Sequence, residues 1–256
     1  MRILVCVKRV PAPGSRINVT SDALNVDTAH LGFTTSPHEE CAVEEAAQLV
    51  ELHGGSVCVL TVGPTEAEEQ LRYAASVGAN EFVLIPNETG HDWDPQRTSH
   101  VISEAIIQLE ASGEPFDLIL FGNESADSGG YQIGVRVAVT LGRGVVNGIK
   151  GIEVLENSVT ATRGKVDGGN ELYSVPLPAV LGVKEGINLP RYPTMKGRLA
   201  PKKAEITFTT IESEPGTQEK VRLHQPEEKI SETEILGDGP DAASAIVDLL
   251  DELGVL

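Results

Sequence analysis

Residues 123–134, NESADSGGYQIG, crowd small and hydrogen-bonding side chains just ahead of a helix-like run. Glycine lets a ligand approach the backbone, and the free N–H groups of a helix N-terminus favour anions. Phosphate is the chemistry such a loop serves, with Ser128 and Gln132 as added side-chain donors. Gly-rich loops are also common as plain turns, so the loop alone leaves both readings open. Three further segments fall at the ends of strand-like runs: residues 8–15, 36–39 and 62–65. In an open parallel sheet, ligands bind beyond the carboxyl ends of the strands, so these four segments form one candidate site.

Other chemistries lack their residues. There is no GxxxxGK[ST] loop, no GxGxxG after the first strand and no GxSxG elbow. Cys6, Cys41 and Cys58 form no CxxC pair, and Cys6 and Cys58 lie inside apolar runs as core residues do. The six histidines show no ligand spacing, so no structural metal is expected.

The elements that must position the loop alternate. Residues 2–8 read as a strand, and a turn-rich PAPGS follows. Ser36, Pro37 and Glu39 open a helix with a cap, a first-turn proline and a capping box; Gly54 and Gly55 close it. Residues 57–62 are continuously apolar, as in a strand buried on both faces. Thr65 and Glu68 give a second capping box. A strand at 82–85, a helix from Asp94-Pro95 and a strand at 117–121 follow. The predicted class is α/β: a Rossmann-like parallel sheet with helices on both faces. After about residue 145 short β runs are added, at 152–155, 159–163, 171–175 and 179–183. Residues 184–204 read as an irregular loop, 212–240 as a polar stretch, and 241–253 as an amphipathic helix. The expected domains are a nucleotide-binding body at 1–184, a loop at 185–204 and an arm at 205–256.

Composition narrows the partners. In 256 residues, 38 acidic side chains against 20 basic ones give a net charge of −18, which repels phosphate backbones and anionic membranes. Aromatics at 4% leave few platforms for stacking bases. Apolar residues at 40% argue against disorder, and no apolar run approaches the ~18 residues of a membrane span. The start is apolar for too short a length to be a signal peptide, and the cysteines suit a reducing, cytoplasmic setting.

Several stretches together resemble the small (β) subunit of the electron-transfer flavoproteins. They are ILVCVKRVP at the start, CAVEEAAQL at 41–49, VLTVGP at 59–64, LRYAASVGAN at 71–80 and DLILFGNESADSGGYQIG at 117–134. DGGNE with LPAV at 167–180 and INLPRYPTMKGRLAPKKAEI at 187–206 complete the series. This chain has SPHE at 36–39 where many relatives have Asn-Pro and an aromatic, and Ser-Gly-Gly-Tyr at 128–131 where relatives often carry acidic residues.

The resemblance implies a heterodimer in which a larger subunit holds most of one FAD. That flavin takes electrons from dehydrogenases, such as acyl-CoA dehydrogenases, and passes them to a quinone reductase. It implies an electron carrier without turnover of its own and a structural AMP on the small subunit. A bifurcating relative with a second FAD in that pocket, and a free-standing adenine-nucleotide module, are the alternatives. Carried over by position, the pocket comprises Cys6, Ser36, Pro37, His38, Glu39 and Val62. From the loop and its helix come Asp127, Ser128, Gly129, Gly130, Tyr131, Gln132, Ile133, Gly134, Val135, Arg136, Val137 and Ala138. The segment Arg191, Tyr192, Pro193, Thr194, Met195 and Lys196 would recognise the dehydrogenase, with Met195 at its tip. The terminal arm would reach the larger subunit.

Overall fold

A computed structural model of the chain describes residues 1–87, 93–165, 167–195, 197–226 and 234–255. These form two compact units, Met1–Leu223 and His224–Leu256.

In the first unit, β1 (Arg2–Val7) leads into two small ribbons, β2 (Val10–Pro11) with β5 (Phe33–Thr34) and β3 (Asn18–Val19) with β4 (Val26–Asp27). Then come α1 (Pro37–His53), β6 (Ser56–Gly63), α2 (Glu68–Ser76), β7 (Glu81–Pro86), α3 (Pro95–Ala111), β8 (Leu118–Gly122) and α4 (Ile133–Leu141). Strands β9 (Gly144–Val154), β10 (Ser158–Gly164), β11 (Asn170–Pro176), β12 (Ala179–Val183) and β13 (Ile206–Phe208) complete it. The sheet order is β11-β10-β9-β12-β8-β1-β6-β7-β13. It is parallel from β9 to β13, with β10 and β11 added antiparallel at one edge. This is the expected Rossmann-like α/β fold with helices on both faces.

Alternate residues of β1 serve opposite cores. Ile3, Val5 and Val7 meet Ala42, Ala46 and Leu49 of α1 and Leu71 and Ala74 of α2. Leu4 and Cys6 meet Val101, Ile102 and Ile106 of α3 and Val137 and Ala138 of α4. Each large side chain removed from water here contributes roughly 1.5–3 kcal/mol. That double burial explains why the central strands lack alternation.

The helix starts differ in how they form. At α1 the Ser36 side chain accepts the Glu39 N–H at 3.4 Å while Glu39 Oε2 accepts the Ser36 N–H at 3.1 Å, and Pro37 takes the first turn. Asp94 caps α3 by accepting the Arg97 N–H at 2.8 Å. The second capping box does not form. Thr65 lies inside a 3-10 turn (Thr65–Ala67) that follows Pro64, so α2 starts only at Glu68 without a side-chain cap.

Strand β9 begins eight residues earlier than the run expected at 152–155, because Gly144, Asn147, Gly148 and Gly151 mask it in the sequence. It pairs in parallel with β12 from Gly144 to Ile149, with a register shift at Gly148 (φ 72°), and antiparallel with β10 from Ile149 onward. Residues 206–223 stay with the body. Strand β13 extends the sheet beside β7, Ile211 is buried against the α3 side, and Gln218 N–H donates to Asp94. The second unit holds a 3-10 turn, Gly239–Ala242, and α5 (Ala243–Glu252).

Candidate functional site

From β1 the chain moves outward through β6 and β7, then returns to β8 on the other side of β1. That reversal is a topological switch point, where the loops diverge and leave a crevice. A cavity of about 170 Å³ opens there. Its floor is Cys6 and Val7 from β1, Lys8 just after it, Val62 from β6, and Phe121 and Gly122 from β8. One wall is residues 123–125, 128 and 130–134; the opposite wall is Trp93, Pro95, Thr98 and Ile102 at the start of α3.

Of the residues expected at a pocket, Cys6, Glu39, Val62, Ser128, Gly130, Tyr131, Gln132, Ile133 and Gly134 line the cavity. The others stand behind it. Ser36 is buried under the α1 cap, Pro37 is the first residue of α1, and Val137 and Ala138 are fully buried in the core. Val135 and Arg136 face outward on α4, where Arg136 Nε donates to Gln132 at 3.2 Å. Asp127 braces the loop from outside, with its Oδ2 2.5 Å from Lys8 Nζ. Gly129 (φ 54°) and Tyr131 (φ 55°) turn the loop through the left-handed region, a costly conformation for tyrosine. His38 spans two loops: its Nδ1 accepts the Glu185 N–H at 2.7 Å and its Nε2 lies 3.2 Å from Glu124 Oε1.

Glu39 is the buried carboxyl of the site. Burial pushes its carboxyl up to about 8, against the N–H donors of Ser36 and Lys8 and the Lys8 charge, which favour the ionised form. A Cβ at Gly122 would stand 2.7 Å from the Glu39 side chain, so only glycine lets α1 close on β8 here. Cys6 is buried and its thiol is pushed well up by that burial, so it is a wall rather than a nucleophile. No side chain caps α4, leaving its first-turn N–H groups for a ligand. At Gly130 a Cβ would meet nothing within 4 Å, space that a ligand at this wall can use. These features fit an anionic group at the start of α4 with a flat, apolar body against Val62, Phe121 and Trp93.

Several lining residues escape sequence reasoning. Asn147 lies on the hidden first half of β9. Trp93, the sole tryptophan, had a signal: it directly precedes the Asp94 cap, which places it beside the strand ends. Among the described residues no group of three or more His, Cys, Asp or Glu is placed to hold a metal, and no helix is long and apolar enough to cross a membrane.

A second feature lies away from the cavity. Between β12 and β13 the chain presents Tyr192 at 93% exposure and Met195 at 80%, flanked by exposed Leu189 and Leu199. Thr194 accepts hydrogen bonds from Gly197 and Arg198, while Arg191 is folded inward and Pro193 is half-buried. Lys196 lies outside the described residues.

Fold and cavity together define a doubly wound α/β protein with an open cavity at its switch point. The family model of the electron transfer flavoprotein domain matches residues 23–212, and the chain belongs to that family. It is 31% identical over 258 residues to the electron transfer flavoprotein subunit beta of Bacillus subtilis, covering 98% of this chain and 97% of that one. The subunit beta of Mycobacterium tuberculosis is 33% identical over 214 residues (82% of this chain, 79% of the relative). That of Syntrophomonas wolfei is 33% identical over 208 residues, covering 80% and 78%.

Proposed function

We propose that this chain is the small subunit of a heterodimeric electron-transfer flavoprotein, an electron carrier of the cytoplasm without substrate turnover of its own. A larger subunit completes the site of an FAD that accepts electrons from dehydrogenases, such as acyl-CoA dehydrogenases, and delivers them to a quinone reductase. The chain itself holds AMP structurally in the switch-point cavity. The observation that carries this reading is the cavity, where the ends of β1, β6 and β8, a small-residue wall and the start of α4, which has no side-chain cap, come together. Val62, Phe121 and Trp93 offer apolar surface for the base. Tyr192 and Met195 anchor the dehydrogenase, and the apolar face of α5 docks on the larger subunit.

The test is co-expression with a large subunit, followed by mass spectrometry of the small molecules released from the purified complex. A 1:1 complex releasing one FAD and one AMP is expected. Two FAD and no AMP would move the chain to the bifurcating class, and a stable lone monomer that ignores the large subunit would remove the heterodimer. Asp127→Ala, which frees the loop from Lys8, lowers the AMP load several-fold without displacing FAD.

A further inference from the structure

The exposed loop between β12 and β13 has both feet tied to helices. At the first foot Arg191 reaches into α1. Its Nε lies 2.9 Å from Glu44 Oε2, its Nη2 lies 3.0 Å from Glu44 Oε1, and its Nη1 lies 2.5 Å from Glu51 Oε1. Its backbone N–H also donates to Glu44 Oε2 at 3.1 Å. Three residues earlier Asn188 Nδ2 donates to Glu45 Oε2 at 2.8 Å and to the Cys41 carbonyl at 3.0 Å. At the second foot Arg72 of α2 donates to the Pro201 carbonyl at 2.8 Å. Nearby, a Cβ at Gly197 would sit 2.3 Å from the Ser76 carbonyl oxygen, so the loop lies directly on the end of α2.

The Glu44 side chain is 4% exposed, and a buried carboxylate needs a partner of this geometry. Burial raises the Glu44 carboxyl, yet the Arg191 hydrogen bonds bring it net below its ordinary range. Both faces of the Arg191 fork are thus spent inside the chain, while Tyr192, its neighbour, is almost wholly exposed.

We propose that Arg191 is a positioning residue for partner docking: clamped on Glu44 and Glu51, it holds Tyr192 and Met195 in the geometry the dehydrogenase binds, and does not itself touch the partner. The inference rests on the docking role proposed above for that loop. An apolar tip on a loose loop must be ordered at each encounter, and the clamp removes that cost beforehand. The gain belongs to association and not to the electron-transfer step.

The test uses the heterodimer as electron acceptor for an acyl-CoA dehydrogenase supplied with its acyl-CoA. Arg191→Met raises the KM for the heterodimer about tenfold, with kcat changed less than about twofold. Arg191→Lys, which reaches one carboxylate at a time, recovers part of the loss. Glu51→Gln, at the exposed end of the clamp, raises KM in the same direction and guards against misfolding of the Arg191 variants. Hydrogen exchange of residues 187–195 in the free heterodimer rises in Arg191→Met. Met195→Ala separates the two claims. If Met195→Ala raises KM and Arg191→Met does not, the clamp is overturned and the docking role stands. If KM rises in Arg191→Met with loop exchange unchanged, Arg191 is a direct contact and the positioning role is overturned. If Met195→Ala leaves KM unchanged, the docking role fails and the clamp with it.

Discussion

Glu39 sets burial against charge within one side chain. Folded, its carboxyl holds a proton up to about pH 8; unfolded, it releases it near the ordinary value of 4.5. The folded chain therefore binds the extra proton between those limits, and stability falls as pH rises across that window, by at most about 1.4 kcal/mol per unit. Asp127 is raised by burial but brought net below its usual 3.8 by Lys8, so it titrates beneath the window. Glu39→Gln removes the slope. Urea unfolding at about pH 5 and about pH 7.5 should show the variant gaining on the parent at the higher pH; an equal difference at both would show that Glu39 is ionised throughout. The capping role of Glu39 was legible in the spacing S-x-x-E. Its place at the pocket was expected too, from the segment 36–39; the close approach of α1 to β8 was not, because it depends on Gly122.

The elements that announce themselves are those whose local chemistry agrees with the fold. Caps at Ser36 and Asp94 and continuous apolar runs at β1, β6 and β8 were readable because no tertiary contact overrules them. Thr65 failed as a cap because Pro64 leads into a 3-10 turn first, and β9 stayed hidden because its glycines serve a kink and close packing on Val175. β13 is three residues long and exists through its pairing with β7, which no local pattern reports. One tie between elements is open to direct measurement. Arg143, after α4, places Nη2 2.7 Å and 2.8 Å from the two oxygens of Glu110 on α3, and Glu110 also accepts the Phe116 N–H. Arg143 is 9% exposed, so Arg143→Met leaves a nearly buried carboxylate unpaired. The expected loss is about 3 kcal/mol in chemical unfolding. Arg143→Met with Glu110→Gln should recover part of it, as a double-mutant cycle would show.

For the whole molecule, the division between Met1–Leu223 and His224–Leu256 separates a body with its own core from a unit with little core of its own. α5 leaves Ile246, Val247, Leu249 and Leu253 exposed, a stripe on one side of the helix. Removing residues 224–256 should leave the melting temperature of the body within a few degrees and weaken association with the large subunit at least about tenfold. Unchanged association would reassign α5 to a role within the chain. The net charge of −18 predicts that encounter rates with a basic partner fall as salt rises.

His38 is a single ring serving two loops, and its hydrogen bonds dictate where its proton resides. A backbone N–H has only a proton to give, so Nδ1, which faces that of Glu185, is bare. The hydrogen therefore sits on Nε2, toward Glu124 beside the cavity. The ring thus has a direction: it receives from the strand end that launches the exposed loop and gives to the loop that walls the cavity. A phenylalanine in its place would keep much of the bulk but lose both the acceptor and the donor, and the two loops would become neighbours without a common bond.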